Sequence, residues 1–281
     1  MAAASAVLVL AVPAANAAAP ASPVARAAPA VGCGAARGAV ARSLSTLVTR
    51  HGIPGAAAEV AGTGCGRWTA ARGVADLATG RPMNAGDRLR IGSVTKSFTA
   101  TVVVQLAAEG RIGLDAPVER YLPGVIRGNG YDGRTITVRQ LLQHTSGLPD
   151  YIGGAGGALI STPADVNRFY RGLFSGELVP ARWLAEMRRT VPADPRRLWP
   201  GARYGLGLIA SPLTCGGMWW GHSGTVPGGH RALGAVTPDG RSISLALTKV
   251  PDTDRAEADF RAVVDSAFCA GDRTHQPKET A

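Results

Sequence analysis

In this 281-residue chain, Ser93 and Lys96 are the two residues whose types and spacing could do chemistry. They stand in Ile91-Gly92-Ser93-Val94-Thr95-Lys96-Ser97-Phe98, which opens a long apolar stretch ending at Glu109. On an α-helix, that spacing puts both side chains on one face, about a turn apart. The helix predicted here is apolar nearly all round, which places it in a core. A hydroxyl and an ammonium on its first turn suit nucleophilic attack. The helix N-terminus favours developing negative charge, and its N–H groups can stabilise an oxyanion. Lysine is scarce in the chain: of 30 basic residues, only Lys96, Lys249 and Lys278 are lysines. A desolvated lysine can lose its proton and act as a base, whereas arginine cannot. The same spacing also fits an N-cap serine followed by a lysine whose stem lies along the helix, so the pair alone leaves both readings open.

The surrounding pattern predicts the elements that must hold this pair. A helix is expected over about Ala36 to Arg50, with Val40, Leu44, Leu47 and Val48 on one stripe. Ala56 to Val60 and Trp68 to Val74 read as a β-hairpin around Gly62-Thr63-Gly64-Cys65-Gly66. The Ser93 helix should stop near Gly110. Thr137 is placed to cap a short helix, and Thr162-Pro163-Ala164-Asp165 to cap and open another. A further helix is expected over Leu178 to Arg189. Strands then follow over Tyr204 to Ile209, Met218 to Gly221, Arg231 to Val236 and Arg241 to Val250, and Phe260, Val263, Val264, Ala267 and Phe268 mark a final amphipathic helix. Strands at both chain ends with helices between them predict an α/β (α+β) fold. One antiparallel sheet would be built from both ends, with the terminal helices on one face and the Ser93 helix on the other.

Composition narrows the setting. An apolar content of 46% supports a real core. Residues 1–17 read as a secretory signal, with Ala15-Asn16-Ala17 as its cleavage site. Residues 18–32 read as a disordered linker, 33–270 as one domain with a helical insert at about 92–200, and 271–281 as a disordered tail. No later stretch has the ~20 apolar residues of a membrane span, so a secreted, extracellular monomer is expected. The four cysteines, Cys33, Cys65, Cys215 and Cys269, fit an oxidising compartment. Three pairings are open, of which Cys33–Cys65 and Cys215–Cys269 keep each bridge within one end of the chain. No His/Cys cluster has metal-ligand spacing, and no cofactor is expected. The net charge of +10 allows attraction to anionic wall polymers or membrane surfaces, but arginine-rich codon usage is the preferred explanation. Nothing resembles a nucleic-acid motif. His51, His230 and His275 are read as surface histidines.

A second motif changes the weight of the first. Gly221-His222-Ser223-Gly224-Thr225 ends a strand, where small residues let a peptide approach the backbone. Together with Ser93-Val94-Thr95-Lys96, the chain resembles the serine penicillin-recognising enzymes, specifically the class C β-lactamase and D-alanyl-D-alanine carboxypeptidase group. Further resemblance lies in Leu141-Leu142-Gln143-His144-Thr145-Ser146-Gly147-Leu148, in Gly156 to Thr162, and in Tyr204-Gly205-Leu206-Gly207-Leu208. The resemblance implies a secreted serine hydrolase. Ser93 would be acylated by a peptidoglycan stem peptide or a β-lactam, and Lys96 would move its proton. The N–H groups of Ser93 and Thr225 would form the oxyanion hole, and His222, Ser223 and Gly224 would hold substrate or relay protons. One departure stands out. The group carries a Tyr-x-Asn motif between the His-Thr-Ser-Gly-Leu stretch and the later Gly-Gly helix. Here Tyr151-Ile152-Gly153 runs almost directly into Gly156-Gly157, and no tyrosine has asparagine two residues on. The alternatives are therefore a non-catalytic penicillin- or peptide-binding member, or a truncated gene product.

Overall fold

The computed structural model describes residues 32–62, 64–149 and 154–270. The expected leader, nearly all of the linker, Tyr151 and the tail lie outside the described residues. The elements run α1 (Cys33–His51), β1 (Gly55–Gly62), β2 (Gly66–Gly73), β3 (Leu89–Arg90), α2 (Thr95–Ala108), β4 (Arg127–Gly128), β5 (Tyr131–Asp132), α3 (Val138–Leu142), β6 (Ile160–Ser161), α4 (Pro163–Phe174), α5 (Ala181–Met187), β7 (Val191–Pro192), β8 (Arg203–Tyr204), β9 (Ile209–Pro212), β10 (Met218–Thr225), β11 (Arg231–Val236), β12 (Ser242–Leu247) and α6 (Asp254–Phe268).

The main sheet has the order β2-β1-β12-β11-β10-β9-β8-β7. All its pairings are antiparallel. β1 lies beside β12, with Ala58 opposite Leu245, so both chain ends build one sheet as the element order predicts. β1 is half alanine and buried along almost its whole length, because helices cover the sheet on both sides. On one face the α1 stripe Val40, Leu44 and Leu47 meets Phe260, Val263, Val264 and Phe268 of α6. On the other face Ala100 and Val104 of α2 pack with Val166, Tyr170 and Leu173 of α4 and Met187 of α5. Each large apolar side chain buried in these layers contributes ~1.5–3 kcal/mol.

Several expected signals act as local chemistry dictates. Thr137 and Gln140 form a reciprocal capping box at α3. The Thr162 side chain accepts from the Asp165 N–H, with Pro163 in the first turn of α4. Cys33 is bonded to Cys65 and Cys215 to Cys269. Other expectations are corrected. α2 is not buried all round: Val102 is 54% exposed. Its buried face instead carries Thr95, Ser97 and Thr101 among the apolar residues. The helix expected over Leu178 to Arg189 spans only Ala181–Met187, because Pro180 holds extended backbone at its start.

The strand expected over Tyr204 to Ile209 is broken in two. Leu206 N–H donates to Met187 carbonyl at 3.0 Å, and Gly207 N–H to Leu142 carbonyl at 2.9 Å. Gly207 carbonyl accepts from Ser97 Oγ at 2.6 Å, and Ser97 Oγ in turn accepts from Tyr170 Oη at 3.0 Å. These bonds turn the segment into a clamp between α2, α3, α4 and α5. Burial pushes the Tyr170 phenol up, so it stays neutral and donates.

His51, expected on the surface, has a side chain only 8% exposed and pairs with Asp259 of α6 at 2.8 Å. The Asp259 carboxyl is held below its usual range, chiefly by this hydrogen bond. A depressed carboxyl pKa adds stability above the unfolded value, near ~3.9, and that stability is lost as pH falls through the folded value. Asp259→Asn is therefore expected to cost about 1 kcal/mol at neutral pH. Urea unfolding at a series of pH values should show the gap closing below about pH 4.

Candidate active site

Ser93 sits in a 3₁₀ turn, Gly92–Val94, that feeds directly into α2. Lys96 lies in the first turn of the helix proper. Its Nζ donates to Ser93 Oγ at 3.0 Å and to the Gly156 carbonyl at 3.1 Å. The spacing seen in the sequence thus becomes a direct hydrogen bond between the hydroxyl and the ammonium.

β10 presses against this turn backbone to backbone. A Cβ on Gly224 would lie 1.9 Å from the Ile91 carbonyl and 2.9 Å from the Ser93 nitrogen. A Cβ on Gly92, whose φ is +53°, would lie 2.8 Å from the Thr225 nitrogen. Only glycine allows both approaches. The ladder then sets the direction of the Thr225 amide. Val226 N–H donates to the His230 carbonyl at 2.9 Å, and β10 pairs β11 with Thr225 opposite Arg231. Hydrogen-bonded and non-hydrogen-bonded pairs alternate in such a ladder. Thr225 and Ser223 therefore turn their N–H and C=O groups away from β11. On that side β9 pairs only with Met218 to Gly221, so residues 222–225 form a local free edge. β10 is not an edge strand along its full length, but it is one where the motif lies.

Ser93, Lys96, Ser223 and Thr225 line one cleft of about 920 Å³, together with His222. Gly224 contributes the close approach rather than a side chain. The arrangement can support attack by Ser93 Oγ on a carbonyl, with Lys96 in reach of its proton and amides on the wall beside it.

The cleft also contains residues that sequence reasoning did not assign to the site. Tyr204 Oη lies 2.8 Å from His222 Nε2. The His222 Nδ1 contacts the Ser223 carbonyl, an acceptor only, so that nitrogen carries a proton. His144 has a left-handed φ of +56°, and its ring meets Tyr204 edge-on at 5.0 Å. Residues 191–200 form the far wall. There the Trp199 indole N–H donates to Ser211 Oγ at 2.9 Å, and the Arg261 guanidinium stacks on its ring at 5.0 Å. Tyr204 was visible only as part of a glycine-rich motif read as strand, which assigns its side chain no partner.

The chain matches known proteins in sequence and in fold. The Beta-lactamase family model matches residues 40–156 and 152–268, and the chain belongs to that family. The two matched stretches meet at the place where the sequence passes from Pro149 to Gly156 without a Tyr-x-Asn motif. Esterase EstB of Burkholderia gladioli is 44% identical over 98 residues, covering 34% of this chain and 25% of the esterase. Penicillin-binding protein 4 of Amycolatopsis lactamdurans is 39% identical over 102 residues, covering 36% of this chain and 26% of that protein. The matched stretches thus span about a quarter of these curated relatives. A D-stereospecific amidohydrolase from Streptomyces sp. superposes with a TM-score of 0.71 at 30% identity, covering 83% of this chain and 98% of that one. D-amino acid amidase from Ochrobactrum anthropi SV3 shares the fold, with a TM-score of 0.72 at 19% identity over 84% of this chain and 98% of that one.

Gly92→Ala tests the backbone contact. It adds a Cβ against Thr225 at a positive φ and is expected to cost about 1–3 kcal/mol. Thermal unfolding should report that loss, and labelling of Ser93 by a fluorophosphonate probe should slow as the turn and β10 separate.

Proposed function

We propose that this protein is a serine hydrolase that forms an acyl-enzyme on Ser93 with amides, esters or lactams. D-amino-acid amides and peptides ending in D-alanine are the preferred substrate class. The observation that carries this reading is the 3.0 Å contact between Lys96 Nζ and Ser93 Oγ, set beside the outward-turned Thr225 amide in one cleft. In acylation, Lys96, once its ammonium has given up a proton, takes the Ser93 proton as Oγ bonds to the substrate carbonyl carbon. The negative oxygen that results is held by the Ser93 and Thr225 N–H groups. Collapse expels the amine or alcohol, which leaves with a proton from Lys96. Water then releases the acid and restores Ser93.

The substrate class follows from likeness to a D-stereospecific amidohydrolase, an esterase and penicillin-binding proteins. Two disulfides support an exported protein, and no described helix is long and apolar enough to cross a membrane. A second reading, a protein that is acylated by β-lactams and holds them, is favoured by the missing Tyr-x-Asn, because a lost proton-transfer group typically slows turnover about 10²–10⁴-fold.

Intact-mass spectrometry with a penicillin and with D-alanine p-nitroanilide tests both readings. Wild type should gain one acyl mass or release nitroaniline, and Ser93→Ala should do neither. Lys96→Arg keeps the charge but cannot take a proton, and acylation should fall about 10²–10⁴-fold. A stable penicillin adduct with no nitroaniline would favour the holding protein. A folded wild type that shows neither mass gain nor product would overturn the acyl-enzyme reading.

A further inference from the structure

Many exposed arginines of this chain are answered by carboxylates. Arg81, Arg127, Arg134 and Arg196 pair with Asp87, Glu119, Asp132 and Asp194 at 2.7–2.9 Å. One surface departs from this. α1 and β2 contain no aspartate or glutamate, yet they carry Arg37, Arg42, Arg50, Arg67 and Arg72, all exposed. None of these pairs with a carboxylate among the described residues. Arg67 faces the other side of the sheet, where it acts on Glu59. Arg37, Arg42 and Arg72 stand along the seam between α1 and β2, each held by neutral groups. Arg72 Nε donates to Ser45 Oγ at 3.2 Å and its Nη1 to the Ala71 carbonyl at 2.8 Å. The Arg37 guanidinium lies over the Trp68 ring at 5.7 Å. Arg42 folds back over Gly38, where a Cβ would come within 3.2 Å of its Nη1. The Cys33–Cys65 bond staples the start of α1 to the turn between β1 and β2.

We infer that the seam between α1 and β2 is a docking surface for a linear phosphate-bearing polymer, recognised by its charge. Guanidinium groups suit phosphate because their planar donors match its oxygens. A carboxylate partner would cancel that charge. The neutral contacts leave it whole and hold the side chains in place, so less rotamer freedom is lost on binding. Ser45, which accepts from Arg72, lies about 12 Å along the helix from Arg37. Meeting all three guanidinium groups therefore takes an extended polymer rather than one small anion. Arginine-rich codon usage raises arginine along the whole chain, but it does not strip one surface of carboxylates.

The same surface argues against other partners. The exposed large apolar side chains, Leu77, Val102, Leu122, Val125, Leu159 and Ile160, all lie outside α1 and β2, so nothing at the seam would enter a bilayer. Trp68 is half-buried and covered by Arg37, and offers no open ring to a base. β2 is the outermost strand of the sheet. On its free edge, however, the Ala71 carbonyl accepts from Arg72, and the Gly73 carbonyl accepts from the Met83 N–H at 3.0 Å. Those bonds blunt the edge against an added peptide strand. α1 covers the sheet face opposite α2, so a polymer held there leaves the cleft at Ser93 open.

The experiment measures binding of fluorescent long-chain polyphosphate to the purified protein over a series of salt concentrations. Wild type should bind, with affinity falling as salt rises. Arg37→Gln, Arg42→Gln and Arg72→Gln together should weaken binding about tenfold or more and reduce the salt slope by about 2–3. A control with Arg120→Gln, Arg171→Gln and Arg182→Gln removes the same charge from other surfaces, and should stay within about twofold of wild type. Ser45→Asp keeps every arginine but sets a carboxylate against Arg72, and should weaken binding with no loss of thermal stability. Equal losses in the seam variant and the control overturn the site, because net charge alone would then act. A wild type that ignores polyphosphate at low salt also overturns it. Tighter binding to phosphatidylglycerol vesicles assigns the seam to a lipid surface and overturns the polymer. Tighter binding of a single-stranded oligonucleotide than of polyphosphate of equal charge overturns recognition by phosphate charge. None of these readouts involves Ser93, so their outcome stands apart from the acyl-enzyme reading.

Discussion

The architecture depends on one close contact between backbones. Gly224 lies against the carbonyl of Ile91, and Gly92 against the amide of Thr225. These residues are more than a hundred positions apart, and no side chain fits between them. The contact docks the Ser93 turn on a strand of the sheet rather than on a flexible loop. It also determines where the amides of Ser93 and Thr225 stand relative to the serine oxygen. Oxyanion stabilisation requires donors placed before charge develops, and rigid backbone is the means available here. The sheet built from both chain ends exists in part to carry β10 to this place, with β1 and β12 locking the two ends together.

Lys96 is held from two sides. Ser93 Oγ and the Gly156 carbonyl both accept from its ammonium. The second acceptor comes from the stretch just after the apparent shortening of the chain. Backbone from the stretch that follows Pro149 thus lies directly at the Lys96 side chain. The buried row formed by Tyr170, Ser97 and Gly207 works from beneath, tying α2 to α4 and to the segment after Tyr204. Through this row the helix that carries Lys96 and the strand that carries Tyr204 share one support.

The opposite half of the cleft is built differently. Residues 191–200 have little regular structure and are pinned by aromatic and cationic contacts, chiefly Trp199 with Trp219 and Arg261. Such a wall can change in sequence without disturbing the sheet.

Much of this was legible in the sequence, and for identifiable reasons. Ser93 and Lys96 are three residues apart, so their meeting needs only a helical turn. The same locality made the caps at Thr137 and Thr162 readable, along with the α1 stripe, and strands at both ends implied one antiparallel sheet without fixing its strand order. Of the three cysteine pairings open to the sequence, the one formed keeps each bridge within one end of the chain. What the sequence could not determine was long-range. Tyr204 meets His222 18 residues away, His51 meets Asp259 across 208 residues, and Gly207 receives Ser97 across 110. A β pattern in Tyr204 to Ile209 was overridden because its backbone groups bond to three helices instead of a neighbouring strand. Local spacing decides which side chains share a turn. Only the packed structure decides which distant backbone groups satisfy one another, and those bonds place the second half of the site.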